Sequence, residues 1–159
     1  MSKQDSERWN SRYAQGAYQS RTHPSELLVR WLPKVQQMTS AAADGSRSAW
    51  DIACGGGRNS LYLAEQGFSV TGIDISATGL AQAAKRMAEQ QLVPASTPTM
   101  TLQWHFVEHD LESATLPDLD PPPSVIVVFR YLNLALVPVL LRSLTVDGWL
   151  LVEVHRQAQ

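Results

Sequence analysis

The amino-acid sequence predicts an α/β fold, an open parallel sheet of five strands with helices on both faces, and three observations predict it. From residue 49 onward, short apolar runs alternate with stretches of helical periodicity, the pattern of parallel strands joined by right-handed crossovers. One run, Ser124-Val125-Ile126-Val127-Val128-Phe129, is almost uninterrupted in its apolar character, as a central strand covered on both faces requires. Another ends at three glycines, Gly55-Gly56-Gly57, directly before a helix. Residues without Cβ make such a turn tight and let the backbone approach a bound molecule closely.

Taken in order, residues 5–23 are polar but carry Trp9, Tyr13 and Tyr18, with Arg8, Arg12 and Arg21 between them. On a helix, Trp9 and Tyr13 share a face and Arg12 lies beside Trp9. Two readings stay open: a helix stapled to the core by its aromatics, or an arm over residues 1–23 that folds over a ligand and excludes water. His23-Pro24 starts a helix over 24–38, with proline near the first helical position. Leu27, Leu28, Trp31, Leu32, Val35 and Met38 give it one apolar face. A polar linker then leads to the core, residues 49–154.

The core opens with a strand over 49–53 and a helix from Asn59 to Gln66, stopped by Gly67. A second strand covers 68–74. Ser76 caps the next helix, whose inward stripe is Leu80, Ala83, Ala84 and Met87. Val93 to Thr99 is a loop, Thr101 to Val107 a third strand, and Pro117 to Pro123 a second loop. The fourth strand is 124–129. A helix over 134–145 is interrupted or opened by Pro138, and Asp147-Gly148 turns the chain into a fifth strand, Trp149 to Val154. At 159 residues the expectation is a single domain.

Apolar content of 44%, charged content of 18% and a net charge of −2 describe a globular protein with nothing to attract a polyanion, so a nucleic-acid partner is not expected. Lone Cys54 excludes an internal disulfide and fits a reducing compartment. Met1 to Asp5 has no apolar signal core, and the apolar run Leu134 to Leu141 falls far short of the ~20 residues that span a bilayer. A cytoplasmic location without membrane contact follows as an expectation. His23, His105, His109 and His155 lack metal-ligand spacing, so no metal is expected.

Asp51, Asp74 and Asp110 fall at or just beyond the carboxyl ends of the first three strands, where open sheets bind ligands. Asp74 suits the hydroxyls of a ribose. A nicotinamide site uses the same acid, but its G-x-G-x-x-G fingerprint asks for glycine where Ser60 follows Gly55 and Gly57. Asp51 would repel a pyrophosphate, yet it suits the ammonium and sulfonium of an amino-acid nucleoside. Asp110 can accept from an adenine amino group, with apolar Ile75 and Leu111 sandwiching the base.

The stretch Asp51-Ile52-Ala53-Cys54-Gly55-Gly56-Gly57-Arg58-Asn59-Ser60-Leu61, continued by Gly67 to Ser76, resembles the signature of class I S-adenosylmethionine-dependent methyltransferases. With Gly-Arg-Asn-Ser-Leu, and Trp9, Arg12 and Tyr13 upstream, it is most similar to the tellurite-resistance and thiopurine methyltransferase-like branch. The resemblance implies a Rossmann-like fold with S-adenosyl-L-methionine as cofactor. The glycine loop (Ala53, Cys54, Gly55, Gly56, Gly57 and Asn59, with Asp51 and Arg12) would hold the methionine part. Asp74 and Ile75 would hold the ribose and base edge, and Asp110 with Leu111 the adenine. Phe129 and Arg130 follow the fourth strand, near the reactive methyl in this fold, and Arg130 faces three readings: an anionic acceptor, the cofactor carboxylate or a neighbouring acid.

Tyr13, Tyr18 and Tyr131 are acceptor-side candidates, followed by His23 and His155. No Asn/Asp-Pro-Pro-aromatic segment follows the fourth strand, which argues against DNA as acceptor. No catalytic base stands out, and Cys54 reads as a small packing residue. An in-line displacement on a soft small-molecule acceptor, such as a thiolate or chalcogen anion, needs little proton removal. Two departures stand against the family pattern. Ala53 replaces a common glycine, a mild change, and the last antiparallel strand pair is lacking beyond Gln159. The expectation is a complete cofactor half and an acceptor half that is partial or completed by a homodimer through the fifth-strand edge. The competing function is a cofactor-binding pseudo-enzyme or partner subunit.

Overall fold

Among the described residues, five parallel strands form one sheet in the order β3-β2-β1-β4-β5. In this computed structural model, residues 3–91 and 103–155 are described. The strands are β1 (Ser48–Ile52), β2 (Ser69–Asp74), β3 (Trp104–Glu108), β4 (Val125–Phe129) and β5 (Trp149–Glu153). The helices are α1 (Lys3–Ala14), α2 (Glu26–Met38), α3 (Arg58–Glu65), α4 (Ala77–Gln91) and α5 (Val137–Ser143), with a 3-10 turn at Leu111–Ser113. The fold class matches the expectation from the alternation of strand and helix. The loop expected at 93–99 and the start of the strand expected at 101 lie outside the described residues.

The chain runs outward from β1 through β2 to β3, then returns to the other side of β1 for β4 and β5. The reversal leaves a crevice between the carboxyl ends of β1 and β4, the place where such sheets take ligands. In register, Ile52 pairs with Ile73 on one side and Val128 on the other. Asp74 stands beside Glu108 at the end of β2.

Alternation along the strands divides the core into two layers. Ala49, Val70, Val125 and Val127 face a layer built on α2, α3 and α4 through Leu28, Leu32, Val35, Leu63 and Met87. Trp50, Ile52, Ile73, Ile126 and Val128 face the other layer, closed by Leu111, Leu136 and Leu140. β1 and β4 are buried along their whole length, which is why the Val-Ile run carries no polar residue.

Helix ends follow local chemistry. Ser76 Oγ accepts from Gly79 N at 3.0 Å and caps α4 as expected. α2 starts at Glu26 with Ser25 before it, so Pro24 precedes the helix. Pro138 sits in the first turn of α5 and opens it, which resolves the two readings of that residue. α1 packs on the start of α4. Ser6 Oγ donates to Ile75 O at 3.3 Å, and Asn10 Oδ1 accepts from Ser76 Oγ at 2.7 Å and Thr78 N at 3.0 Å.

Candidate functional site

A cavity of about 370 Å³ opens over the carboxyl ends of β1, β2 and β4. Its floor is the turn after β1, where Ala53, Gly55 and Gly57 all take left-handed φ, at 57°, 54° and 79°. Alanine at that first position carries about 1 kcal/mol of strain, so the exchange for glycine is less mild than the sequence suggests. Tyr18 and Arg130, also left-handed at φ 64° and 61°, line the same cavity. Strained backbone of this kind gathers where binding geometry is held by the surroundings.

Asp74, 8% exposed, sits in the wall at the end of β2. Its Oδ2 accepts from Gly55 N at 2.9 Å and its Oδ1 from Ser76 N at 2.8 Å. One carboxylate thus ties the glycine turn to the cap of α4. Burial pushes its carboxyl above the usual range, against the pull of these N–H groups. A carboxylate has about four acceptor positions, so these two bonds do not use them all.

Ile75, His109 and Leu111 continue the wall. Cys54 also lines the cavity, but its thiol is buried and held well above its ordinary pKa by burial, then by Asp51 and Asp74. It stays protonated and packs rather than attacks.

Tyr13 forms the roof. It is 8% exposed, and a Cβ on Gly55 would run into its hydroxyl, while one on Gly79 would come within 3.1 Å of its ring. Burial first, then Asp74, raises its phenol well above the ordinary value. Trp9, Tyr13 and Tyr18 stack in sequence, with centroids 6.4 Å and 6.0 Å apart. The aromatics that staple α1 also line the cavity.

Not every sequence-derived residue reaches the cavity. Asp51 lies inside β1, and alternation turns its side chain toward α3 instead of out of the strand end. It is 2% exposed, and Ser60 Oγ donates to its Oδ2 at 2.7 Å. Asp110 uses its Oδ1 to accept Glu112 N at 3.0 Å and caps the 3-10 turn. His109 and Leu111, on either side, face the cavity in its place. Gly57 is where α3 meets α4, because a Cβ there would be 2.6 Å from Ala83 Cβ. Arg12 stacks over Trp9 and Tyr18, at 5.0 Å and 5.6 Å, outside the lining. His23 is outside as well, whereas His155 is part of the wall.

Ala53, Gly56, Asn59, Phe129, Arg130 and Tyr131 are in the lining as the sequence suggested. Asn59 Oδ1 also accepts from Ser25 N at 2.8 Å, pinning the start of α2 to α3. Tyr131 donates to Glu112 Oε1 at 3.0 Å. The residues missed are Ala17, Arg58, Gln82, Arg86 and His109, while Arg21 was named only as part of the N-terminal arm. Only Arg58 carried a sequence signal, its place directly after the glycines.

Burial pushes the Asp51 carboxyl up to about 7, opposed by the Ser60 hydroxyl. Unfolded, it titrates near its usual 3.8, so between those values the folded chain holds the extra proton. Its contribution is full below about 3.8 and is lost as pH rises to about 7. Asp74 acts with the same sign, while Asp44, Asp110 and Asp147, all lowered, act only in acid. Thermal unfolding at pH 5 and pH 8 should show wild type losing stability on going to the higher pH. Asp51→Asn should reduce that loss by roughly 1–3 kcal/mol. Parallel pH profiles would remove Asp51 as the titrating group.

The sequence of a methyltransferase-domain family matches residues 49–144, from β1 through α5. Over 53 residues the chain is 49% identical to a putative methyltransferase, YqeM, of Bacillus subtilis (strain 168), covering 33% of this chain and 19% of that one. Among solved structures, TehB from Haemophilus influenzae superposes with a TM-score of 0.54 at 22% identity, covering 67% of this chain and 35% of that one. The glycopeptide N-methyltransferase MtfA gives 0.55 at 19% identity, covering 80% and 53%. It has also been solved in complex with S-adenosyl-L-methionine. The matches span from about a fifth to about half of these relatives' lengths, and the structural likeness is one of fold. With more than half of its residues inside the matched region, the chain belongs to the methyltransferase-domain family.

Proposed function

We propose that the cavity binds S-adenosyl-L-methionine and that the chain directs its methyl group to a small-molecule acceptor. The observation that carries this is Asp74, a wall carboxylate anchored to both the glycine turn and the α4 cap, with acceptor positions left for a ribose. Ile75, Leu111 and His109 suit the base, and the left-handed turn at 53–57 leaves room for the methionine part. Bound there, the cofactor supplies a methyl group already activated by its sulfonium. What remains for the protein is alignment and exclusion of water. Tyr13 and Trp9 cover the turn, while Tyr18, Tyr131 and Arg130 border the space where an acceptor would lie. No general base is needed for a soft acceptor such as a thiolate or chalcogen anion.

The tellurite-resistance and thiopurine-like assignment rests on Gly57-Arg58-Asn59-Ser60-Leu61 and on the upstream Trp9, Arg12 and Tyr13. We read residues 1–159 as one such domain working in the cytoplasm. No helix among the described residues is long and apolar enough to cross a membrane. β5 is the outer strand on its side, with Val152 and Val154 exposed, and it suits pairing with a second copy. Size exclusion with light scattering returning a monomer would remove that pairing.

Trp9 lines the cavity and gives a direct reporter. Tryptophan fluorescence should respond to S-adenosylmethionine and S-adenosylhomocysteine, but not to NAD. Silence with the first two ends the proposal. Binding without turnover across thiols, selenite and tellurite would favour the pseudo-enzyme reading instead.

A further inference from the structure

Three arginines from separate elements meet on one cavity wall: Arg21 in the segment after α1, Arg58 at the start of α3, and Arg86 in α4. Among the described residues none of them is in an ion pair; the pairs there are Lys3–Glu7, Arg8–Asp5 and Lys85–Glu89. Their contacts are to uncharged groups. Arg58 Nη1 donates to His23 O at 2.9 Å, Arg86 Nη1 to Arg21 O at 3.5 Å, and the Arg21 guanidinium lies 4.7 Å over the Tyr18 ring.

Each guanidinium has five N–H donors in a fixed fork, so these bonds leave most of them available. Gathering three like charges is unfavourable in a chain whose net charge is −2. Burial, then the charges of Arg21 and Arg86, lower the Arg58 pKa. Glu153 and Asp51 oppose this, and the Glu153 carboxylate also accepts Ser25 Oγ at 3.3 Å. Among the described residues no carboxylate is in ion-pair contact with any of the three, so most of their donors face the cavity without a charged partner from the chain.

We propose that Arg21, Arg58 and Arg86 form a clamp for a carboxylate or comparable oxyanion on a molecule in the cavity. The planar fork matches such groups in a way that a lysine ammonium does not. The clamp rests on the function proposed above and refines it. Its anion belongs either to the cofactor's amino-acid end or to the acceptor.

The test uses two nucleosides that share adenine and ribose. S-Adenosylhomocysteine carries the amino-acid carboxylate, and 5′-methylthioadenosine does not. Both are titrated into wild type, Arg21→Gln and Arg86→Gln by tryptophan fluorescence. Inorganic phosphate is titrated with and without S-adenosylhomocysteine at constant ionic strength. A clamp on the cofactor weakens S-adenosylhomocysteine about ten- to hundredfold in the variants and leaves methylthioadenosine within about twofold. A clamp on the acceptor leaves both nucleosides unchanged and abolishes the phosphate response of the S-adenosylhomocysteine-saturated protein. Equal weakening of both nucleosides, or no change in either arm, overturns the clamp. Wild type that binds neither nucleoside overturns the cofactor reading instead, and phosphate binding to the free protein, lost or kept in the variants, then decides the clamp alone.

Discussion

Asp74→Ala should weaken S-adenosylhomocysteine by roughly 1.5–3 kcal/mol, the usual loss when a charged acceptor is removed from a buried hydrogen bond. Two effects add. The ribose loses its acceptor, and Gly55 N and Ser76 N lose the carboxylate that positions the glycine turn against α4. Asp74→Asn does not rescue this, because its amide NH₂ would face one of those N–H donors. Methylthioadenosine should weaken as well, since the ribose is common to both nucleosides. That shared loss separates Asp74 from the arginine wall, whose variants spare methylthioadenosine whichever anion the clamp holds. Titration calorimetry showing unchanged affinity would move the ribose elsewhere in the cavity.

Gly57→Ala should destabilise the fold by about 2–4 kcal/mol, combining left-handed strain with overpacking. The residue sits at φ 79°, and an added Cβ would lie 2.6 Å from Ala83 Cβ and 3.0 Å from Ala83 Cα. Backbone cannot swing aside as a side-chain tip can, so α3 and α4 must separate. The unfolding midpoint should fall by about 5–15 °C. Gly56→Ala is the control: it lacks a left-handed φ, and the nearest atom to its Cβ is Gln82 Oε1 at 3.6 Å. It should cost less than about 1 kcal/mol. Equal losses at the two glycines would discard this account of the turn.

The fold was legible because its signals are local. The buried Val-Ile run of β4, the glycines after β1 and the Ser76 cap each act over a few residues. Asp74 was legible for the same reason, as an acid at a strand end with a ligand-binding turn one strand away. Asp51 and Asp110 also stand near strand ends, but position along a strand does not say where a carboxylate points. One is turned under α3 by the pleat, and the other is engaged by its own downstream backbone. The arginine wall left no comparable trace. Arg21, Arg58 and Arg86 share no spacing or motif, and only the passage of the N-terminal segment over α3 and α4 unites them.

Ser6 and Asn10 hold α1 to Ile75 O, Ser76 and Thr78, which directly follow Asp74. Peeling the first helix away would therefore disturb the cavity wall beside Asp74. A ligand that prefers the docked form stabilises it by mass action, and at about 100 times Kd the detached population falls about a hundredfold. Amide hydrogen exchange over residues 6–14 becomes a gauge of occupancy that requires neither turnover nor a known acceptor. Exchange in the N-terminal helix would thus report the occupancy of the site that its own Trp9 and Tyr13 cover.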